Sequence, residues 1–327
     1  MDITVAIVTY NAAGCIQACL ESIVRQSPHG GAAEIIVVDG CSSDGTQRIV
    51  QAFSPKVRLL ENPGRTIASN RNAALREARY PYLAFTDADC VVPENWLASL
   101  AKAFETLRAS DPGLVAVGGG NCAAQSDSPF LAALEIALDS FLGSMGSVQG
   151  RRFADARPVK SLACLNALYD RAALNAIGGF DERLGNMCED ADINYRLGQA
   201  GRTLWFVPGA DVEHRARANL GAWCRNMYAY GIGRARIMRK HRTVFSPLLV
   251  LPLLFLPALV LAAAAGMVWP WAFLAWLYVP AAICAGYALT PREKRRLGWR
   301  VGLILLGTHL CYSAGLWRGL VGARWIG

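Results

Sequence analysis

The sequence predicts an α/β domain built on a Rossmann-like, mostly parallel sheet, followed by interfacial helices and about three transmembrane helices. Two observations carry this expectation. Between residues 3 and 118, short apolar runs alternate with longer helix-forming stretches, the signature of βαβ units. From Val244 onward charge almost vanishes: residues 244–268, 269–289 and 301–317 contain no Asp, Glu, Lys or Arg.

Taken in order, the strand-like runs of the front half are Thr4–Thr9, Glu34–Asp39, Val57–Glu61, Tyr82–Asp87 and Leu114–Gly118. Helical stretches lie between them at Ile16–Gln26, Thr46–Ala52, Thr66–Ala78 and Trp96–Thr106. Ligands of such sheets bind beyond the carboxyl ends of the strands. Residues 121–170 are harder to read. They hold a helix-like PFLAALEIALDSFLG and a basic RRFADARPVK, with Arg151 and Arg152 as acceptor-loop candidates, and fit an acceptor loop or simple packing equally well. A further helical run, Ile193–Ala200, follows three acids in four residues.

The domain limits read from composition are 1–214, 215–243 and 244–327. A bilayer span needs about 20 apolar residues, and spans are expected near 246–267, 269–289 and 300–320. Trp269, Trp271, Trp299 and Trp317 stand near their ends, as interfacial rings do. Pro247, Pro252 and Pro257 leave the first run either kinked or re-entrant. Residues 215–242 carry eight Lys/Arg and no acid, with Trp223, Tyr228 and Tyr230 interleaved, and read as one or two helices on a membrane face. Basic residues precede the first run and follow the second, so the positive-inside rule puts the front half in the cytosol. An integral protein of a bacterial inner membrane is expected, in contact with membrane lipids.

Charge narrows the function classes. The formal net charge is +8, yet residues 1–214 hold 18 Lys/Arg against 24 Asp/Glu. An acidic front half argues against nucleic acid as partner, and the basic stripe before an apolar tail suits an anionic membrane surface. The ten cysteines form no Cys-x-x-Cys pair, so they read as small buried hydrophobes in a reducing compartment. The first apolar run, Ile3–Val8, has no basic flank and is too short for a signal peptide, so none is read.

Acids at strand ends are the chemical signal. Asp39 closes EIIVVD, where it reads as a ligand contact or as a turn cap. Asp87 and Asp89 close YLAFTDAD. In extended backbone residues i and i+2 point the same way, so these two carboxylates are expected to converge. Two like charges so close call for a cation, and hard oxygen ligands suit Mg²⁺ or Mn²⁺ bridging the phosphates of a nucleotide. In Cys188-Glu189-Asp190-Ala191-Asp192 the acids read as a helix N-terminus favoured by the dipole, or as the source of a general base toward a hydroxyl. His214 reads as a plain surface or core histidine, or as a third metal ligand beside Asp89.

Together TYNA, VVDGCSSDGT, the helix with Arg71-Asn72, FTDADC, GGFDE, CEDAD and VEHR resemble glycosyltransferase family 2, with its GT-A fold, over residues 3–214. The stretch from GGFDERL to YGIGRAR and the spans beyond further resemble the membrane-attached subgroup of succinoglycan-type glucosyltransferases. The resemblance implies that Thr9, Tyr10 and Asn11 line the nucleotide base, with Asp39 accepting from uracil and Asp44 nearby. It implies Arg71 at the ribose or diphosphate and Asp87 near the ribose and sugar. Asp89 and His214 would hold the metal, with Asp87 close, and Asp190 of the Glu189-Asp190 pair would be the base. No Gln/Arg-x-x-Arg-Trp motif follows His214, which favours one sugar per encounter over processive synthesis. The expected activity is inverting transfer from a nucleotide-sugar, a UDP-sugar, to a lipid-linked saccharide or other membrane acceptor. Competing readings are a polyprenyl-phosphate glycosyltransferase and, from other classes, a small transporter, a scaffold or a non-catalytic sugar-binding membrane protein.

Overall fold

The structure, a computed structural model, describes all residues except 28–29, 124–127, 145–152, 216–218, 244–249 and 323–327. Arg151, Arg152, Arg217 and Pro247 therefore lie outside the described residues. The chain divides into two compact units, residues 1–124 with 147–215, and residues 125–146 with 216–327.

The first unit holds all the strands found among the described residues. They are β1 (Ile3–Thr9), β2 (Ala33–Asp39), β3 (Arg58–Glu61), β4 (Tyr82–Asp87), β5 (Cys90–Val91), β6 (Leu114–Gly118), β7 (Asn121–Ala123), β8 (Arg157–Val159), β9 (Asn166–Asp170), β10 (Thr203–Phe206) and β11 (Val212–His214). Eight of them form one sheet in the order β3-β2-β1-β4-β9-β6-β10-β8. The pairs among β3, β2, β1 and β4 are parallel, as is β6 with β10; β9 runs antiparallel between β4 and β6. The five expected strands and four expected helices are present: α1 (Ile16–Ile23), α2 (Thr46–Gln51), α3 (Ile67–Glu77) and α4 (Trp96–Ser110). The central antiparallel β9 was not expected. Its sequence, NALYD, contains no β-branched residue.

Alternation along the strands divides the core between the two sheet faces. Ile3, Val5 and Ile7 pack with Ile16, Leu20 and Ile23 of α1 and with Trp96, Leu100 and Phe104 of α4. Ala6, Ile36, Val38, Leu83 and Phe85 pack on the other side with Ala74 and Leu75 of α3 and with Ile193 and Leu197 of α8 (Glu189–Gln199). Burial on both faces explains why these strands read as continuous apolar runs rather than alternating ones. Leu174 on α7 (Arg171–Ala176) joins the same side. Asn166 knots the centre: it accepts from Trp96 Nε1 at 2.7 Å and donates to the carbonyls of Gly120 and Ala210 at 2.7 Å each.

Register then aligns the strand ends. Thr9 pairs with Asp39 across β1 and β2, and Val8 with Asp87 across β1 and β4. The chain breaks strand geometry at Ala88–Asp89 and starts the small sheet β5-β11-β7 beside that edge.

The second unit is helical: α5 (Pro129–Asp139), α6 (Phe141–Ser144), α9 (Leu220–His241), α10 (Val250–Gly266), a 3₁₀ segment Pro270–Leu277, α11 (Tyr278–Leu289) and α12 (Gly298–Val321). The basic segment expected as one or two helices is the single helix α9. It buries Trp223, Met227, Ala235 and Ile237. A Cβ at Gly315 on α12 would stand 2.0 Å from the Tyr228 carbonyl oxygen, so glycine is what lets α9 and α12 approach. Pro257 lies inside α10 and cannot donate to the Leu253 carbonyl; Trp317 Nε1 donates there instead at 2.7 Å. Ser313 Oγ likewise donates to the Pro252 carbonyl at 2.6 Å.

Of about three expected spans, one helix among the described residues is long and apolar enough to cross a membrane, Pro270–Leu289. Among the described residues the first run yields α10, which is 17 residues long. The third lies in α12, a 24-residue helix whose Val301, Ile304, Leu305 and Leu316 are buried within the unit and whose sequence includes Thr308, His309 and Ser313.

Candidate active site

The site is assembled where β1, β2 and β4 end. Thr9, the last residue of β1, is buried, and Tyr10 beyond it is 54% exposed. Asn11 takes φ +49°, a left-handed geometry that asparagine tolerates better than most residues. This loop is stitched to the one after β2. Asn11 N donates to Ser42 Oγ at 2.7 Å, and Ser43 N donates to Asn11 Oδ1 at 2.9 Å. Asp44 accepts from Ala13 N at 3.0 Å and from the Thr46 hydroxyl at 2.5 Å. The Thr46 bond, with help from Ala13, holds its carboxyl below the usual range. Asp44 thus ties two loops together.

Asp39 is fully buried. Its Oδ1 accepts from Ser42 Oγ at 2.5 Å, and its Oδ2 from Ser42 N at 2.8 Å and Gln47 Nε2 at 2.7 Å. The expected uracil acceptor thus already takes three bonds from the chain's own donors. Gln47, which sequence reading passed over, is one of them.

Arg71 is also engaged by the chain's own groups. Its guanidinium is buried, donates to Asp87 Oδ1 at 3.1 Å and pairs with Glu189 Oε1. The rings of Phe85 and Phe180 lie 5.9 and 5.8 Å from its Cζ. A side chain so enclosed joins β4 to the start of α8. Next to it, Asn72 clamps the GGFDE turn: Nδ2 donates to the Phe180 carbonyl at 2.9 Å and to Glu182 at 2.8 Å, and Oδ1 accepts from Phe180 N at 2.8 Å. Gly179 needs its φ of +69° there, and a Cβ would stand 2.7 Å from Asn72 Oδ1.

The first turn of α8 separates its acids by role. Glu189 is buried and committed to Arg71; burial pushes its carboxyl up to about 7 while Arg71 pulls the other way. Asp192 is fully buried and pairs with Arg196 Nε at 2.8 Å. Arg196 in turn donates to the Ile177 carbonyl at 2.7 Å and the Gly179 carbonyl at 2.5 Å. Asp190 is half-buried, and its Oδ1 accepts from Ala191 N at 2.7 Å.

Asp87 and Asp89 take different partners. Strand geometry ends at Asp87, so the alternation rule no longer applies two residues on. Asp87 faces Arg71, whereas Asp89 meets His214, whose Nε2 lies 3.4 Å from Asp89 Oδ2. The pairing of β11 with β5 brings His214 there across more than 120 residues of sequence. Asp89, Cys90 and His214 each offer a ligand atom within 4.8 Å of the other two; Asp87 is not in that set. A carboxylate with an imidazole is a donor set that fits Mn²⁺, so the residues present fit a divalent ion. Arg215 follows, with its backbone N donating to the Asp89 carbonyl at 2.9 Å and Nη1 to the Gly14 carbonyl at 2.7 Å.

Known proteins agree with this architecture. The family model for glycosyl transferase family 2 matches residues 4–178. The chain is 30% identical over 321 residues to the succinoglycan biosynthesis protein ExoA of Rhizobium meliloti, covering 96% of this chain and 93% of that protein. It is 27% identical over 256 residues to the pre-mycofactocin glycosyltransferase of Mycobacterium tuberculosis, covering 76% of this chain and 50% of that protein, so it spans about half of that relative. Among solved structures, the mannosyltransferase PcManGT of Pyrobaculum calidifontis, in complex with GDP-Man and Mn²⁺, superposes with a TM-score of 0.59 at 22% identity. That match covers 98% of this chain and 88% of the other. With a mostly parallel sheet, acids at its carboxyl edge and homology along nearly its whole length, the chain belongs to glycosyltransferase family 2.

Proposed function

We propose that the chain is an inverting, metal-dependent membrane glycosyltransferase that moves one sugar per encounter from a UDP-sugar to a lipid-linked saccharide or other membrane-surface acceptor, in polysaccharide or glycolipid biosynthesis. The observation that carries this reading is the approach of His214 to Asp89 beside the carboxyl edge of the sheet, in a family 2 chain. Relatedness to a succinoglycan biosynthesis protein supports polysaccharide assembly as the setting.

Each residue then has a task. Thr9, Tyr10 and Asn11 face the base, with the exposed Tyr10 ring offered for stacking; Asp39 and Asp44 act by holding the loops that carry them. Asp87 turns toward the ribose and sugar under the hold of Arg71. Asp89 and His214 would hold Mg²⁺ or Mn²⁺, whose charge offsets that of a departing diphosphate. Glu189 is engaged by Arg71, and the half-buried Asp190 beside it takes the role of base that the family resemblance implies. Asp190 takes the proton of the acceptor hydroxyl, the hydroxyl oxygen attacks the anomeric carbon opposite the diphosphate, and the nucleoside diphosphate departs with inversion.

Membrane attachment is supported by the exposed apolar side chains of the second unit, among them Leu251, Leu261, Trp271, Leu274 and Leu277. So many large exposed apolar side chains in one unit suit a membrane or partner contact. With α10 crossing beside the Pro270–Leu289 helix, Arg239, Lys240 and Arg242 before α10 and Arg292, Lys294 and Arg295 after Leu289 fall on one side, which the positive-inside rule makes the cytosolic face of a bacterial inner membrane, together with the catalytic unit.

The test is a panel of nucleotide-sugars incubated with the purified chain and membrane extract, scored for nucleoside diphosphate release with and without Mn²⁺. Release from a UDP-sugar that needs both Mn²⁺ and extract is expected. Release from no donor would overturn the reading.

A further inference from the structure

Three ligand groups meet at the Asp89–His214 position, and one of them is a thiol. β5 and β11 are antiparallel, with Cys90 the register partner of His214. Directly opposed residues of an antiparallel ladder project from the same face with Cβ atoms about 4.5–5.5 Å apart. The Cys90 thiol and the His214 imidazole therefore stand side by side, and Asp89 reaches them from the preceding turn. Cys90 Sγ lies 4.0 Å from Asp89 Oδ1, and all three ligand atoms lie within 4.8 Å of one another. Metal bonds of about 2.0–2.3 Å place tetrahedral ligands about 3–4 Å apart. Closing this set on an ion thus asks for side-chain shifts of about an ångström.

Ligand softness decides which ions would use the sulfur. Mg²⁺ and Mn²⁺ favour oxygen, whereas thiolate selects Zn²⁺-like ions. We propose that Cys90 is a third ligand that this chain adds to the site, recruited by thiophilic divalent ions such as Zn²⁺, Co²⁺ and Cd²⁺, whereas Mg²⁺ or Mn²⁺ is held through Asp89 and His214 alone. The inference rests on the reading of Asp89 and His214 as the metal position. When a thiophilic ion enters, the Cys90 S–H bond breaks, its proton goes to solvent, and the sulfur lone pair forms the bond to the metal; no redox change occurs. Zn²⁺ outbinds Mn²⁺ at a given set of nitrogen, oxygen and sulfur donors, and a thiolate adds to that preference. Zn²⁺ is then a competitor of Mn²⁺ at the same position.

Co²⁺ titration of the full-length, detergent-solubilised chain tests this without any turnover. The expected result is a near-ultraviolet sulfur-to-cobalt charge-transfer band that saturates at one equivalent and disappears when Zn²⁺ is added. The band is expected to be lost in Cys90→Ser and in the better-tolerated Cys90→Ala, and retained in Cys15→Ser. Saturable Co²⁺ binding by the wild-type chain without that band, or a band that survives Cys90→Ala, overturns the role of Cys90 and leaves Asp89 and His214 standing as the metal position. Binding unchanged in an Asp89→Asn, His214→Ala double variant overturns the metal position itself, and the inference with it.

Discussion

Arg71 shows how one buried charge organises a site. It is held between Asp87 at the end of β4 and Glu189 at the start of α8, within a cage of Phe85 and Phe180. Removing one partner of a buried ion pair leaves an uncompensated charge, at a cost of about 3–5 kcal/mol. Arg71→Ala is expected to destabilise the chain by that order in denaturant unfolding. Glu189 gives a pH signature. Its carboxyl binds a proton more tightly folded, at about 7, than unfolded, so the stability linked to that proton is full below the ordinary carboxylate range and is lost as pH rises to about 7. Relative to Glu189→Gln, the wild-type chain is expected to lose stability over that window, as read by melting curves at stepped pH. Asp190 differs in kind. Asp190→Asn is expected to lower turnover by roughly 10²–10⁴-fold, the usual contribution of a general base, while calorimetric nucleotide affinity stays unchanged. Undiminished transfer by that variant would point to an acceptor that needs no base, such as a lipid phosphate.

At the scale of elements, parallel register accounts for the site. Pairing Thr9 with Asp39 and Val8 with Asp87 sets the ends of three strands side by side, and the turn at Ala88–Asp89 opens a small second sheet at the same edge. The GGFDE turn is fixed by Asn72 and Arg196 together with its own left-handed glycines. Asn72→Ala removes bonds to Phe180 and Glu182 and is expected to cost roughly 1–3 kcal/mol. A loss of stability below 0.5 kcal/mol in denaturant unfolding would show that the clamp carries little. The strands β1 to β4 were legible because burial on both faces makes them continuous apolar runs. β9 was not, because a short segment without β-branched residues becomes a strand through its neighbours β4 and β6. The same divide runs through the site. Asp39, Asp87, Asp89 and the α8 acids announce themselves as carboxylates where apolar runs end. What each one does depends on partners brought by folding. Glu189 stands 118 residues from Arg71, and Ser42 and Gln47 occupy Asp39 through loop geometry that no spacing rule describes.

For the whole molecule, the two compact units divide the labour implied by composition: an acidic α/β unit that carries the site and a basic, apolar helical unit. The Pro270–Leu289 helix and the exposed side chains of α10 are expected to keep the full chain in the membrane pellet through high-salt and alkaline washes, with release by detergent alone. Release by salt would mean that the basic helix α9 holds it electrostatically at the surface. The central claim concerns the catalytic unit, and calorimetric titration of UDP into the purified chain with and without Mn²⁺ tests it most directly. Binding that requires Mn²⁺ in the wild type, and that is lost in Asp89→Ala and in His214→Ala, is the predicted result. Binding of UDP with equal affinity whether or not Mn²⁺ is present, unaltered by either substitution, would contradict it.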